Sequence, residues 1–251
     1  MDYLVSGLTK LTFGKKTMES NFQVKEISRL DDTQFQEAYR IYEKAFTPEL
    51  RMGLGGFTRV IKSKKRGQDQ HVFVALFNGT VVGMATFGYF QKCNVGFIGY
   101  IVIGSQWENR GFGTKLYHSI MDQLSLDARK NGDFTLVAII FEVEKSELAK
   151  TSFQQQTDLR RIRFFKNAGG QIINAAYFQP SLGIGLHPVE LNLMIHITGP
   201  GFNVTRDWLI TLTNYIYENV YAMKSKLKLH KMREYMRGFE SSLHENKLLK
   251  D

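Results

Sequence analysis

A chain of 251 residues with 43% hydrophobic and 23% charged side chains can bury a substantial core, and its composition gives no sign of disorder. One cysteine, Cys93, excludes an internal disulfide and a cysteine-based zinc site, fits a reducing compartment, and reads as a packed thiol. Subtracting 24 acidic from 33 basic side chains leaves a net charge of +9, which favours polyanionic partners without choosing among phosphorylated cofactors, nucleic acid and anionic membranes.

In chain order, residues 1–20 scatter their apolar side chains among Lys10, Lys15 and Lys16. They form no signal-type apolar region, and no later stretch is apolar enough to span a bilayer. The expectation is an N-terminal extension on a cytoplasmic protein. Phe22, Val24 and Ile27 suggest a short strand. Asp31 and Asp32 are good N-caps for a helix carrying Phe35, Ala38, Tyr39, Tyr42, Ala45 and Phe46, with Pro48 just beyond its end. Residues 51–67, glycine-rich and then basic, read as a loop with at most one short helix. Val72–Phe77 and Val81–Phe87 flank Asn78-Gly79, the pair that suits a type I′ hairpin turn because both central residues need positive φ.

A third apolar run, Val95–Ile103, extends the sheet, and a helix follows with Phe112, Leu116, Ile120, Met121 and Leu124 on one face. Phe134–Phe141 is expected as a strand, Asp158–Ala168 as a helix stopped by Gly169-Gly170, and Ile172–Phe178 as a strand ended by Pro180. From Val189 to Thr198, apolar and polar residues alternate as in a half-buried strand. After Gly199-Pro200-Gly201, Leu209, Leu212, Ile216 and Val220 place a docked helix over Thr205–Met223. The remainder mixes Lys224, Lys226, Lys228, Lys231, Arg233 and Arg237 with Leu227, Leu229, Met232 and Met236. That is a solvated helix, or a basic amphipathic one that meets a membrane, nucleic acid or a partner subunit. The order predicts a mixed α/β domain over residues 21–200 with a helical extension over 201–251.

The informative segment runs from Ile101 to Thr114. A strand ends, a tight loop follows, and a helix opens at Gly111-Phe112-Gly113. The first turn of a helix leaves backbone N–H groups unpaired and favours negative charge, and glycines let a bulky anion approach the backbone. Such a loop suits a pyrophosphate. A dinucleotide fingerprint would need glycine where Leu116 stands. A P-loop fails at Gly14-Lys15-Lys16, with Thr9 and Lys16 in place of the first glycine and the hydroxyl.

The run Glu108-Asn109-Arg110-Gly111-Phe112-Gly113, behind a hairpin and a third strand, resembles the acyl-CoA-binding motif of the GNAT acetyltransferase superfamily. Glu108 departs from the Gln or Arg usual there. Downstream, Arg160–Gly169 resembles the family's next helix with its aromatic pair, and Tyr177-Phe178-Gln179-Pro180 resembles the Tyr-x-Gln-Pro strand end of a subset. The resemblance spans about Phe22–Thr198. It implies a mostly antiparallel sheet splayed between the strands Val95–Ile103 and Phe134–Phe141 to admit acetyl-CoA or another acyl-CoA.

By the same resemblance Ile101, Val102, Ile103, Glu108, Asn109, Arg110, Gly111, Phe112, Gly113, Thr114, Arg161 and Phe165 border the cofactor, and a backbone N–H near Ile103 meets the oxyanion. Arg160, Arg161 and Arg163 are equally a solvated helix face. Acyl transfer to an amine calls for a base, an oxyanion donor and an acid for the thiolate. Glu142 is the candidate base, or else an exposed strand-end carboxylate. Phe165 stands where the family often has the tyrosine acid, so Tyr177 is the substitute, or packing. Gln179 is placed near the acceptor, a small amine or peptide amine, and so is Glu144, or else Glu144 is a solvated surface carboxylate. The expectation is an N-acetyltransferase without a metal and without nucleic-acid binding, with a homodimer as the candidate assembly. A catalytically idle acyl-CoA sensor or scaffold is the alternative, favoured by Glu108 and Phe165.

Overall fold

The computed structural model describes residues 21–62, 68–183, 185–221, 229–244 and 247–250. The expected extension 1–20, with Lys10, Lys15 and Lys16, and Lys224, Lys226, Leu227 and Lys228 of the basic stretch lie outside these residues.

The first half of the sheet is built by local pairing. β1 (Phe22–Glu26) pairs antiparallel with β2 (Gln68–Phe77), and β2 returns into β3 (Thr80–Phe90) through Asn78-Gly79. Both turn residues have positive φ, 49° and 79°, as the type I′ turn demands. β4 (Val95–Ile103) pairs antiparallel with β3. β5 (Ala138–Glu144) then pairs parallel to β4, but only from Val95↔Ala138 to Ile98↔Phe141. Beyond that rung the two strands part. β8 (Val189–Ile197) runs antiparallel to β5, and its other edge is shared by β6 (Gly170–Ile173) and β7 (Tyr177–Gln179). β9 (Leu249–Lys250) lies against β6 and completes a nine-stranded mixed sheet.

Helices cover both faces. On one, α1 (Thr33–Ala45) and α2 (Leu54–Lys62) bury Phe35, Tyr42, Phe57 and Val60 against β2–β4. The Asp32 carboxylate caps α1 by accepting from the N–H groups of Gln34 and Phe35. On the other, α3 (Phe112–Lys130) and α4 (Ser152–Asn167) enclose Leu116, Ile120, Leu124, Phe141 and Phe165. α5 (Arg206–Ile216) and α6 (Leu229–Ser242) cover β5, β7 and β8, burying Leu209, Leu212, Ile216, Met232 and Phe239. Phe46 packs against both the α1 cluster and the α5 cluster, so these helices share a face.

Several expected boundaries move, each for a physical reason. The fifth strand starts at Ala138, and Phe134 is 97% exposed. Asn131–Asp133 instead satisfy the last carbonyls of α3, and Phe134 leaves that turn outward. α4 begins at Ser152 rather than Asp158, because Thr151 accepts from the Gln154 N–H and caps a polar first turn with no apolar stripe to announce it. The expected strand 172–178 is two strands, β6 and β7. β8 is central rather than half-buried: Met194 is fully buried on the face opposite Leu193 and Ile195. The helix expected over 205–223 is α-helical only to Ile216, and Tyr217–Tyr221 form a π-helical turn. Cys93 is buried in the turn between β3 and β4, with its thiol pushed up to about 11 by burial.

Candidate active site

The parting of β4 and β5 has a local cause. Phe87 faces Ile98 across the β3–β4 ladder while Thr86 faces Tyr100, which leaves Gly99 as a bulged residue one step past the last β4–β5 rung. A bulge bends its strand and removes one residue from the ladder. A Cβ at Gly99 would come within 3.2 Å of Thr86 Oγ1, so the close approach favours glycine. Ile103, near which the oxyanion donor was expected, is regularly paired with Gly83; the irregular backbone is at Gly99.

At the open end of the gap β4 passes into the loop. Ser105–Trp107 make a 3-10 turn, Asn109 has φ 60°, and Gly111 has φ 76° as the N-cap of α3. Gly111 offers no side-chain cap, and the first turn of α3 contains no acidic residue, so its N–H groups face outward with the helix dipole behind them. Open space surrounds the position a Gly111 Cβ would take. The Glu108 carboxylate is drawn to Arg160 at 3.2 Å, which supplies its counter-charge, and Arg110 lies 5.0 Å over the Trp107 ring. Thr114 is exposed. Gly113 lies under Phe164, where a Cβ would be 3.4 Å from the ring. The Phe112 ring instead belongs to the core, against Phe22 and Phe77. Ile101 and Ile103 pack partly buried towards α3, and Val102 is buried on the α1 face.

At the narrow end stands Glu142, the residue after the last rung on β5. The Tyr177 hydroxyl donates to Glu142 Oε1, and the Tyr221 hydroxyl lies 2.6 Å from each carboxylate oxygen. Both tyrosines are buried, which raises their pKa values far above the ordinary range, and the Glu142 charge adds to that shift. They therefore stay protonated and hold the carboxylate by donating. The two catalytic candidates from the sequence are thus in contact. Tyr221, from the π-helical turn, completes the group and was not singled out from the sequence.

The other expected residues are engaged elsewhere. Glu144 is ion-paired with Arg161, whose guanidinium also donates to the Ala45 carbonyl at 2.9 Å and lies 4.9 Å over the Phe46 ring. α4 and the end of α1 lie on opposite faces of the sheet, and the Arg161 side chain links them. Asp158 beside it is buried, and its Oδ2 has no hydrogen-bond partner. Burial, then the charge of Glu144, push its carboxyl up to about 6 against the pull of Arg161. Gln179 is buried and donates to the Glu49 carbonyl at 2.9 Å. Phe165 stacks on Phe141 with centroids 3.9 Å apart. Among the described residues no cluster of metal-ligating side chains occurs, and no helix is long and apolar enough to cross a membrane.

Residues 30–131, from α1 through the loop to the end of α3, match the model of the acetyltransferase (GNAT) family. Over that segment the chain is similar to GNAT acetyltransferases. The GNAT fold extends beyond that segment. A protein described as a GNAT-family acetyltransferase of Bacteroides thetaiotaomicron superposes with a TM-score of 0.60 at 16% identity, covering 79% of this chain and 98% of its own. One described as an acetyltransferase of Staphylococcus epidermidis gives 0.50 at 12% identity, covering 71% and 100%. At these identities the likeness is one of fold. No curated protein matches the chain.

Proposed function

We propose that this chain transfers an acetyl group from acetyl-CoA, or a related acyl group, to a primary amine by direct attack. The observation that carries this reading is the Glu142 carboxylate, fixed by two buried tyrosine hydroxyls at the narrow end of a gap whose open end is an uncapped helix. The N–H groups of Phe112, Gly113 and Thr114 hold the pyrophosphate, with Asn109 and Arg110 beside it. Glu108, turned to Arg160, does not oppose that charge.

An ammonium cannot attack a thioester, so a base must take its proton first. Glu142 does this, its oxygens oriented by Tyr177 and Tyr221. The ladder is interrupted at Gly99, and the backbone N–H there is the donor this reading assigns to the developing oxyanion. Phe165 carries no proton for the departing sulfur, and the Tyr177 hydroxyl supplies it. Thiol release from acetyl-CoA across an amine panel, with the ligand-induced rise in melting temperature as a separate readout, tests the reading. Absence of any shift with millimolar acetyl-CoA would sink it.

A further inference from the structure

Tyr217 takes no part in the step described above, yet it touches both elements that deliver a hydroxyl to Glu142. It opens the π-helical turn that Tyr221 closes, and their ring centroids lie 6.1 Å apart. Its ring stacks on Tyr177 of β7 at 5.6 Å and on Tyr235 of α6 at 5.9 Å. Its hydroxyl donates to the Phe178 carbonyl at 3.0 Å. Resting on the acyl-transfer reading above, we propose that Tyr217 is a positioning residue for the base, through which the helical extension sets how both tyrosine hydroxyls meet Glu142.

β7 needs such support. It has three residues, and β8 pairs along one of its edges. A strand that short is weakly held by its ladder alone. The extension takes up further backbone groups of the same segment at alternate residues. The Asn174 N–H donates to the Leu248 carbonyl at 2.8 Å, the Ala176 N–H donates to Ser242 Oγ at 2.8 Å, and the Phe178 carbonyl accepts from Tyr217. Tyr177 stands inside this bracket, with Phe239 of α6 edge-on to its ring at 6.2 Å. A hydroxyl bonds an oxygen well only over about 2.5–3.0 Å, so a small shift of β7 or of the turn costs a bond to Glu142. The ring that braces Tyr177 belongs to the same turn as Tyr221, which ties the two donors together.

The consequence is electrostatic. Donors to the ionised form hold a carboxyl's pKa down, so loss of the brace lets Glu142 keep its proton to higher pH. Burial raises the pKa values of Tyr100, Tyr177, Tyr217 and Tyr221, and the Glu142 charge adds to each shift. All four stay neutral around the carboxylate.

The test uses the full chain, labelled with carbon-13 at the glutamate carboxyls, and follows the Glu142 pKa by NMR, with the Glu142→Gln protein identifying the signal. Tyr217→Leu should raise that pKa by about one unit. Thiol release with any amine of the panel that turns over should show kcat about tenfold lower, a fraction of the loss expected without the base. KM for acetyl-CoA and its thermal shift should stay unchanged. Tyr217→Phe keeps the stack and loses only the bond to Phe178, so it should fall between the wild type and Tyr217→Leu. Ser242→Ala removes the acceptor of the Ala176 N–H and should move the pKa the same way by less. Leu209→Ala opens a cavity in the buried core under α5; it should lower the melting temperature and leave the Glu142 pKa in place. If Tyr217→Leu does not fold, the two milder variants decide. An unmoved Glu142 pKa in Tyr217→Phe and Ser242→Ala, or an equal shift in Leu209→Ala, overturns the proposal and leaves the acyl-transfer reading standing. No thermal shift of the wild type with millimolar acetyl-CoA removes that reading, and the base with it.

Discussion

The two ends of the gap between β4 and β5 are built in opposite ways. The open end is one contiguous loop, Gly104 to Thr114, whose chemistry is backbone N–H groups displayed by local turns and a positive-φ glycine. The narrow end joins one residue each from β5, β7 and the turn after α5; Tyr177 lies 35 residues from Glu142 and Tyr221 lies 79. A contiguous site survives any change that spares its few residues. A dispersed one depends on the packing of every element that delivers a side chain. The first should therefore fail by losing ligand, and the second by losing rate.

That contrast can be broken by mutation. Glu142→Gln should lower kcat by about a hundredfold or more while the acetyl-CoA-induced thermal shift persists; loss of the shift as well would merge the two ends into one site. Gly111→Val forces a β-branched residue to φ 76° and should abolish the shift, at a cost of about 1–2 kcal/mol in stability. Tyr221→Phe should reduce kcat roughly tenfold and move the acid limb of the pH–rate profile upward, because a carboxylate that loses a donor holds its proton more tightly. A parallel change in every kinetic constant without the pH shift would make Tyr221 mere packing. The smallest effect belongs to Glu108→Gln. Its ion pair with Arg160 is exposed, so KM for acetyl-CoA should change less than about threefold.

A further expectation lies away from the gap. His71 on β2 sits between Glu26 at 2.7 Å and buried Asp127 at 3.0 Å. Burial lowers its pKa, but hydrogen bonds and the charges of both carboxylates outweigh it and raise the value to about 9. A group raised on folding stabilises fully below its unfolded pKa and loses that stabilisation as pH climbs past the folded one. The melting temperature should fall between about pH 6.5 and 9, and His71→Gln should flatten that slope.

What the sequence made legible follows the same division. The hairpin at Asn78-Gly79, α3 and its loop are specified within a dozen residues, and pattern alone located them. Phe134 misled because apolarity does not say which way a residue leaves a helix cap. Arg160 and Arg161 are neighbours about 100° apart on a helix; which one meets Glu108 of the loop and which meets Glu144 and Ala45 depends on how α4 is turned against the sheet, which no local pattern reveals. Tyr221 was hidden by the switch from α to π winding after Ile216, which breaks the 3.6-residue stripe and turns a new side chain inward. Glu142 and Tyr177 were found one by one, but their contact needs β8, which pairs with both their strands.

The brief parallel seam between Val95–Ile98 and Ala138–Phe141 has a consequence for how the chain comes together. Among the described residues every other rung lies within residues 22–103 or within 138–250, so the sheet is two halves, each made from its own stretch of chain and stitched by four residue pairs. Each half can close its own rungs without waiting for the other. Native-state hydrogen exchange should then resolve two cooperative units that meet at the seam, with the amides of Gly99–Ile101 opening more readily than those of Phe97 and Ile140.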